Sequence, residues 1–275
     1  MIVDAHQHFW DPARGDYGWL TPDNPIHRVF STADLRPLLV QTGVDATILV
    51  QAAPTAAETD YILAIARDAK FILGVVGWVD LLAPDAAGQV RRRAEAPLFL
   101  GVRPMLQDLP DPDWILQRGL EPALNAIAAE GLVFDALVLS HQLAAVTELA
   151  ARHPQLSIVL DHAAKPKFGN TGAMAVWSRD IEKLAALPNV ACKVSGLLTE
   201  RPPGRDDVAR VIGVLFDLFG PERLIWGSDW PVLTLAGDYQ GWFDLAREAI
   251  AARQSSAVRA VMGGNAVRIY RPRKR

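Results

Sequence analysis

Short apolar runs alternate with longer amphipathic stretches along the whole 275-residue chain. The apolar runs fall at 2–9, 47–52, 71–80, 98–105, 133–139, 157–162, 190–195 and 224–228. Most are near-continuous, such as Thr47-Ile48-Leu49-Val50 and Ile158-Val159-Leu160, the pattern of parallel strands buried on both faces. Between them, Ala-, Leu-, Arg- and Glu-rich segments repeat at helical spacing over 34–42, 57–69, 85–96, 114–130, 143–152, 173–186, 206–219 and 242–253. Strand starts lie 24 to 45 residues apart, room for a strand, a crossover helix and two loops. Eight such units predict an α/β protein, a single-domain (β/α)8 TIM-type barrel over 1–275, with one extra C-terminal helix at 256–270 lying across it. An open doubly wound sheet is the competing architecture. Its Gly-rich phosphate turn is missing, because the first strand runs into Gln7-His8-Phe9-Trp10.

Charge and cysteine content narrow the classes of partner. Lys plus Arg is 28 and Asp plus Glu is 31, a net charge of −3, so nothing predicts a nucleic acid or an anionic membrane as partner. The one basic cluster, Arg271-Pro272-Arg273-Lys274-Arg275, is expected to be a solvated tail. Cys192 is the only cysteine, which rules out an intrachain disulfide. With no signal-peptide pattern at Met1 and no apolar run near the ~18 residues of a bilayer span, a cytoplasmic address is expected.

Barrel enzymes work at the C-terminal ends of their strands, and the chain gathers reactive groups there. His6 and His8 sit two apart on the first strand and so share a face. Asp4 shares their parity one layer deeper, a candidate acceptor for a ring N–H. His141 follows the fifth strand, His162 ends the sixth and Asp229 ends the eighth. Arg103 ends the fourth strand, where a planar guanidinium suits a carboxylate, a carbonyl or several hydroxyls. Lys165 and Lys193 are further candidate substrate cations; for both, an ion pair is the competing reading. Trp10, Trp78 and Trp230 stand next to strand ends, where rings can wall a pocket or simply pack at the rim. His27 and His153, in a loop and at a helix end, read as structural.

Five motifs in order carry a family likeness: Asp4-Ala5-His6-Gln7-His8-Phe9-Trp10, Gly101-Val102-Arg103, Leu160-Asp161-His162-Ala163-Ala164-Lys165-Pro166, Cys192-Lys193-Val194-Ser195-Gly196 and Trp226-Gly227-Ser228-Asp229-Trp230-Pro231. With Gly263-Gly264-Asn265-Ala266 after them, the set resembles the amidohydrolase superfamily, in particular the amidohydrolase 2 branch and its sugar lactonases. The resemblance implies a (β/α)8 barrel that hydrolyses its substrate at a strand-end site. It puts His6, His8, His162 and Asp229 around the reacting water and carbonyl, and Arg103 on the substrate. It also marks a departure: Arg103 stands at the end of the fourth strand, where two-metal members carry a bridging lysine. At most one divalent ion is therefore expected, zinc first, on His6, His8 and Asp229 with help from His162 or His141, and a metal-free mechanism is the alternative.

The expected activity is hydrolysis of a small-molecule lactone derived from a sugar, with Asp229 taking a proton from water. His6, His8 and His162 complete the catalytic set, while Arg103, His141, Lys165, Lys193, Trp10 and Trp230 bind substrate. The alternatives are a zinc-dependent decarboxylase of an aromatic or unsaturated acid, a hydrolase of a dicarboxylate lactone, and a catalytically silent binding protein.

Overall fold

The computed structural model describes residues 1–200 and 205–272. Arg273, Lys274 and Arg275 of the basic tail lie outside the described residues, as do 201–204. Eight strands form one sheet in chain order: β1 Val3–Gln7, β2 Ala46–Val50, β3 Ile72–Gly77, β4 Phe99–Val102, β5 Val133–Ala136, β6 Ser157–Leu160, β7 Val190–Val194 and β8 Leu224–Trp226. Every neighbouring pair is parallel. The ring closes through a parallel bridge from Gln7 to Trp230 and backbone bonds from His8 N to Trp230 O and from Asp229 N to His6 O, both 2.7 Å. This is the (β/α)8 barrel, and the eight apolar runs are its strands, each shortened by a residue or more.

The outer ring contains α1 Thr32–Thr42, α2 Ala56–Asp68, α3 Ala86–Ala94, α4 Glu121–Ala129, α5 Leu143–Arg152, α6 Thr171–Ala185, α7 Arg205–Phe219 and α8 Tyr239–Arg253. Two predicted helices differ in form. The stretch 114–130 opens as two 3-10 turns, Trp114–Leu116 and Arg118–Leu120, and becomes α-helical only at Glu121. Pro122, which lacks a donor N–H, sits where a first turn leaves that group unbonded. The C-terminal segment is likewise not one continuous helix: a 3-10 turn Ser255–Ala257 and a π-type stretch Ala260–Gly264 precede a short α9, Asn265–Tyr270. Gly263 leaves helical geometry because its backbone abuts the start of β1, and a Cβ there would lie 2.4 Å from Met1 O.

Two apolar layers result. One lies between strands and helices; the other is small and draws one to three residues from every strand, including Val3, Ile48, Val76, Leu100, Val133, Val159, Ala191 and Ile225. Side chains from all eight strands can meet only inside the barrel. Ala266 and Tyr270 of α9 join them, so α9 closes the barrel at the strands' N-terminal ends. Gly101 lets β4 approach β5, since a Cβ would fall 2.6 Å from Val133 O.

Candidate active site

The mouth at the C-terminal strand ends holds a cleft of about 350 Å³ with His8, Arg103, His162 and Asp229 at its floor. A larger hollow of about 940 Å³ between α1 and α2 contains no imidazole. Asp229 is the focus of the floor. Its Oδ1 lies 3.3 Å from His8 Nε2, 3.6 Å from His6 Nε2 and 3.8 Å from His162 Nε2. A backbone φ of +60° at Asp229 turns the carboxylate toward them, a conformation that costs a non-glycine residue about 1–3 kcal/mol.

His6 reaches this floor through a break in β1. Val3 and Ala5 face the barrel interior, so strict alternation would send His6 outward; the pairing with β2 shifts register between Asp4 and Gln7, and His6 turns inward. The same break overturns the expected role of Asp4. It serves no ring, but accepts from Ser228 N (2.8 Å), His6 N (3.1 Å) and Tyr239 Oη (2.8 Å) on α8, tying β1 to β8 and the helix layer.

His162 begins a left-handed turn: His162, Ala163, Ala164 and Lys165 have φ of 52°, 50°, 56° and 52°. Each would cost roughly 1–2 kcal/mol in isolation, so outside contacts must hold the turn. Trp177 Nε1 donates to Ala163 O (2.8 Å), and Ser140 Oγ donates to Ala164 O (2.8 Å) and Lys165 O (3.0 Å). The ring of His162 is hydrogen-bonded to Ser195 Oγ at 2.9 Å through Nδ1.

Beneath the mouth lies a row of buried charges. Arg103 Nη1 is 3.3 Å from Asp161 Oδ2 and from His6 Nε2. Its Nη2 donates to Gln51 O, and Gln51 Nε2 returns a bond to Arg103 O at 2.7 Å. Lys193 Nζ contacts Asp161 Oδ1 at 2.9 Å, Asp135 Oδ2 at 2.5 Å and His6 Nδ1 at 3.2 Å. Lys193 is thus sealed in an internal ion pair below the cleft, and the expectation that it touches substrate is corrected. Burial outweighs every other influence on His6 and His162, pushing His6 well below the usual range and His162 to about 4, against the pull of Asp161 and Asp229; both are neutral imidazoles at pH 7. Burial would raise Asp229, but His162, the hydrogen bond with His8, and His6 hold it well below the usual carboxylate range.

Other expected residues separate. Lys165 lines the cleft and pairs with Glu200 at 3.2 Å. Trp10 lines it too, stacked near His8 with ring centroids 6.3 Å apart. Trp230 does not: its ring packs on Phe9 and Phe30 behind the wall. His141 is exposed in the 3-10 turn Ser140–Gln142 and touches neither cleft nor ligand cluster, because that turn points its ring outward; its expected substrate and metal roles fail on geometry. His153 is buried beside Glu121. Several lining residues went unremarked in the sequence: Trp19, Thr199 and Glu200 come from loops and Gln107 from the short 3-10 turn Leu106–Asp108, where no periodicity announces them. Trp19 stands edge-on to Trp10 at 5.2 Å, its Nε1 donating to Ala52 O at 2.8 Å.

The donor chemistry fits one divalent ion. His8 Nδ1–H donates to Val50 O at 2.8 Å, and its Nε2 faces a carboxylate oxygen of Asp229 3.3 Å away. A ring nitrogen and a carboxylate oxygen so placed share either a proton, as in their hydrogen bond, or a cation. His6, His8 and Asp229 offer three converging ligand atoms; a second trio, His6, Asp161 and His162, shares His6.

Compared with known proteins, residues 3–271 match the Amidohydrolase family model. The chain belongs to that family. It is 46% identical to an L-fucono-1,5-lactonase of Burkholderia ambifaria, across 98% of this chain and 95% of that protein. A second L-fucono-1,5-lactonase, from Burkholderia multivorans, is 37% identical across 98% and 96%. A crystal structure of an amidohydrolase from Burkholderia multivorans superposes with a TM-score of 0.93 at 35% identity, covering 99% of this chain and 100% of that one, and a zinc-bound structure from the same species gives 0.92.

Proposed function

We infer that this enzyme hydrolyses a sugar-derived lactone, and we propose L-fucono-1,5-lactone, or a lactone of the same 6-deoxy class, as its substrate. The observation that carries the proposal is the 46% identity to an L-fucono-1,5-lactonase across essentially both chains. The cleft agrees in character: indoles of Trp10 and Trp19 with Val232 and Leu235 offer an apolar surface for ring carbons and a methyl group, while Gln107, Lys165, Thr199 and Glu200 offer partners for hydroxyls.

In the mechanism, a water beside Asp229 attacks the lactone carbonyl carbon as Asp229 takes one of its protons. The carbonyl π pair moves onto oxygen, and the cationic Arg103 stabilises the oxyanion. Collapse then breaks the bond from carbon to ring oxygen, and Asp229 returns the proton to the departing oxygen. Water has been added, giving a hydroxy acid that ionises and releases a proton to solution. Asp229 is ionised at every physiological pH but is a weak base, since the imidazoles lower its proton affinity. A lactone is an activated ester and asks less of that base than an amide would. One divalent ion on His6, His8 and Asp229, zinc first among candidates, would supply Lewis acidity and a more acidic water. The zinc in the Burkholderia multivorans structure supports that choice.

A pH-indicator assay over a panel of aldonolactones and dicarboxylate lactones tests the reading. Turnover of L-fucono-1,5-lactone is expected, reduced about 10²-fold or more by Asp229→Asn at an unchanged melting temperature. Carbon dioxide release from an aromatic acid, with no lactone turned over, would transfer the enzyme to the decarboxylases.

A further inference from the structure

The row of charges below the mouth does not stop at the site. It continues down the barrel axis as Arg103, Asp161, Lys193 and Asp135, alternating in sign, and ends on Tyr270 of α9, whose hydroxyl lies 2.8 Å and 2.9 Å from the two Asp135 oxygens. Asp135, Asp161 and Lys193 are wholly inaccessible to solvent, and Arg103 and Tyr270 nearly so. Such groups are a poor way to stabilise a core, because desolvation cancels most of the attraction and apolar residues of similar volume do as well or better. The strand positions below them show the alternative, with Val133, Val159 and Ala191 filling the same inward faces two residues earlier. A polar layer at this level therefore needs a reason beyond stability.

Its geometry supplies one. Asp161 contacts both groups above it, His6 Nδ1 at 3.4 Å and Arg103 Nη1 at 3.3 Å, and is itself steered by Lys193. Lys193 in turn is fixed between Asp161 and Asp135, and Asp135 takes its orientation from Tyr270. We propose that Asp135, Lys193 and Tyr270 are positioning residues for lactone hydrolysis, transmitting the seating of the C-terminal helix α9 through the barrel to Arg103 and His6. Losing the Tyr270 hydroxyl frees Asp135 to rotate. Lys193 follows it, and Asp161 loses the ion pair on Oδ1 that holds its other oxygen, Oδ2, toward Arg103.

The proposal rests on the lactonase reading for its kinetic test. Tyr270→Phe keeps the ring and removes one hydroxyl at the end of the barrel away from the cleft. A kcat lowered about tenfold, with KM within about twofold and the variant assayed well below its melting temperature, is expected. Asp135→Asn, which keeps an acceptor and discards the charge, should act in the same direction if Tyr270→Phe folds poorly. A third measurement needs no substrate: the ¹⁵N and ¹H resonances of the His6 ring should move in Tyr270→Phe, while those of exposed His141 stay in place. Folded variants with wild-type kcat and an unmoved His6 spectrum would overturn the proposal. Movement of the spectrum in an enzyme that opens no lactone would instead overturn the functional reading and leave the coupling intact.

Discussion

Glu58 shows how one residue can be tuned by its surroundings. It sits in the first turn of α2, buried, with Oε1 accepting from Ala52 N at 3.0 Å and Oε2 without a bonding partner. Burial raises its pKa to about 8, against the pull of the Ala52 N–H and Arg103. A carboxyl whose pKa is higher folded than unfolded favours the folded state most below the unfolded value near 4.5, and loses that contribution as pH rises to about 8. Glu58→Gln, which cannot ionise, should therefore match the parent near pH 5 and exceed it by pH 8, on the order of a few kcal/mol. Denaturation midpoints across that interval check it; equal pH slopes would show that Glu58 is ionised throughout. The residues of the mouth were legible in the sequence because strand ends can be counted: His6, His8, Arg103, His162 and Asp229 all stand there. Asp135 and Asp161 carried a signal that went unread. Each lies two positions after an inward valine in a run otherwise buried, and a charge at that parity must be paired inside the barrel. Asp4 misled for the opposite reason, since a register shift cannot be seen in a period of two.

Among the elements, strands were more readable than the connections that carry function. The apolar runs fixed all eight strands, whereas Trp114–Leu120 and the segment after Gln254 depended on where Pro122 and Gly263 fall within a helical pattern. Least readable was the left-handed turn from His162 to Lys165, because neither alanine in it favours positive φ and the bonds that hold it come from Ser140 and Trp177, distant in sequence. That turn meets β7's continuation at Gly196, with φ of +61° and no room for a side chain: a Cβ would lie 2.5 Å from His162 Nδ1. Gly196→Ala should therefore push the imidazole off its place beside Ser195 and Asp229 as well as strain the backbone. A loss of kcat of tenfold or more is expected, with about 1–2 kcal/mol of stability lost to the left-handed conformation. Kinetics on the folded variant separate the two effects; a stability loss with undiminished kcat would mean that His162 can shift without consequence.

At the scale of the whole molecule, closing the barrel brings β1, β6 and β8 together, and this decides how many metal ions the site can hold. Two overlapping trios converge there, His6–His8–Asp229 and His6–Asp161–His162, yet they do not amount to two sites. His6 is common to both, and Asp161 is already engaged by Lys193 at 2.9 Å and Arg103 at 3.3 Å. Recruiting Asp161 to an ion would take the carboxylate that pairs with Arg103 and one of the two that hold Lys193, a cost of several kcal/mol. The end of β4 offers Arg103, which repels a second cation, and no carboxylated lysine to bridge a pair. The trio His6, His8 and Asp229 takes no carboxylate from the row of buried charges: Arg103 Nη1, 3.3 Å from His6 Nε2, would have to yield that one contact, while His8 Nε2 and Asp229 Oδ1 face each other at 3.3 Å, where a cation fits. Elemental analysis of the purified enzyme should accordingly give no more than one equivalent of divalent metal per chain. His8→Ala should lower it further while leaving the Asp161–Lys193–Asp135 row untouched. Two equivalents at full activity would contradict the argument at its base, because they would require Asp161 to leave the row of charges for the metal.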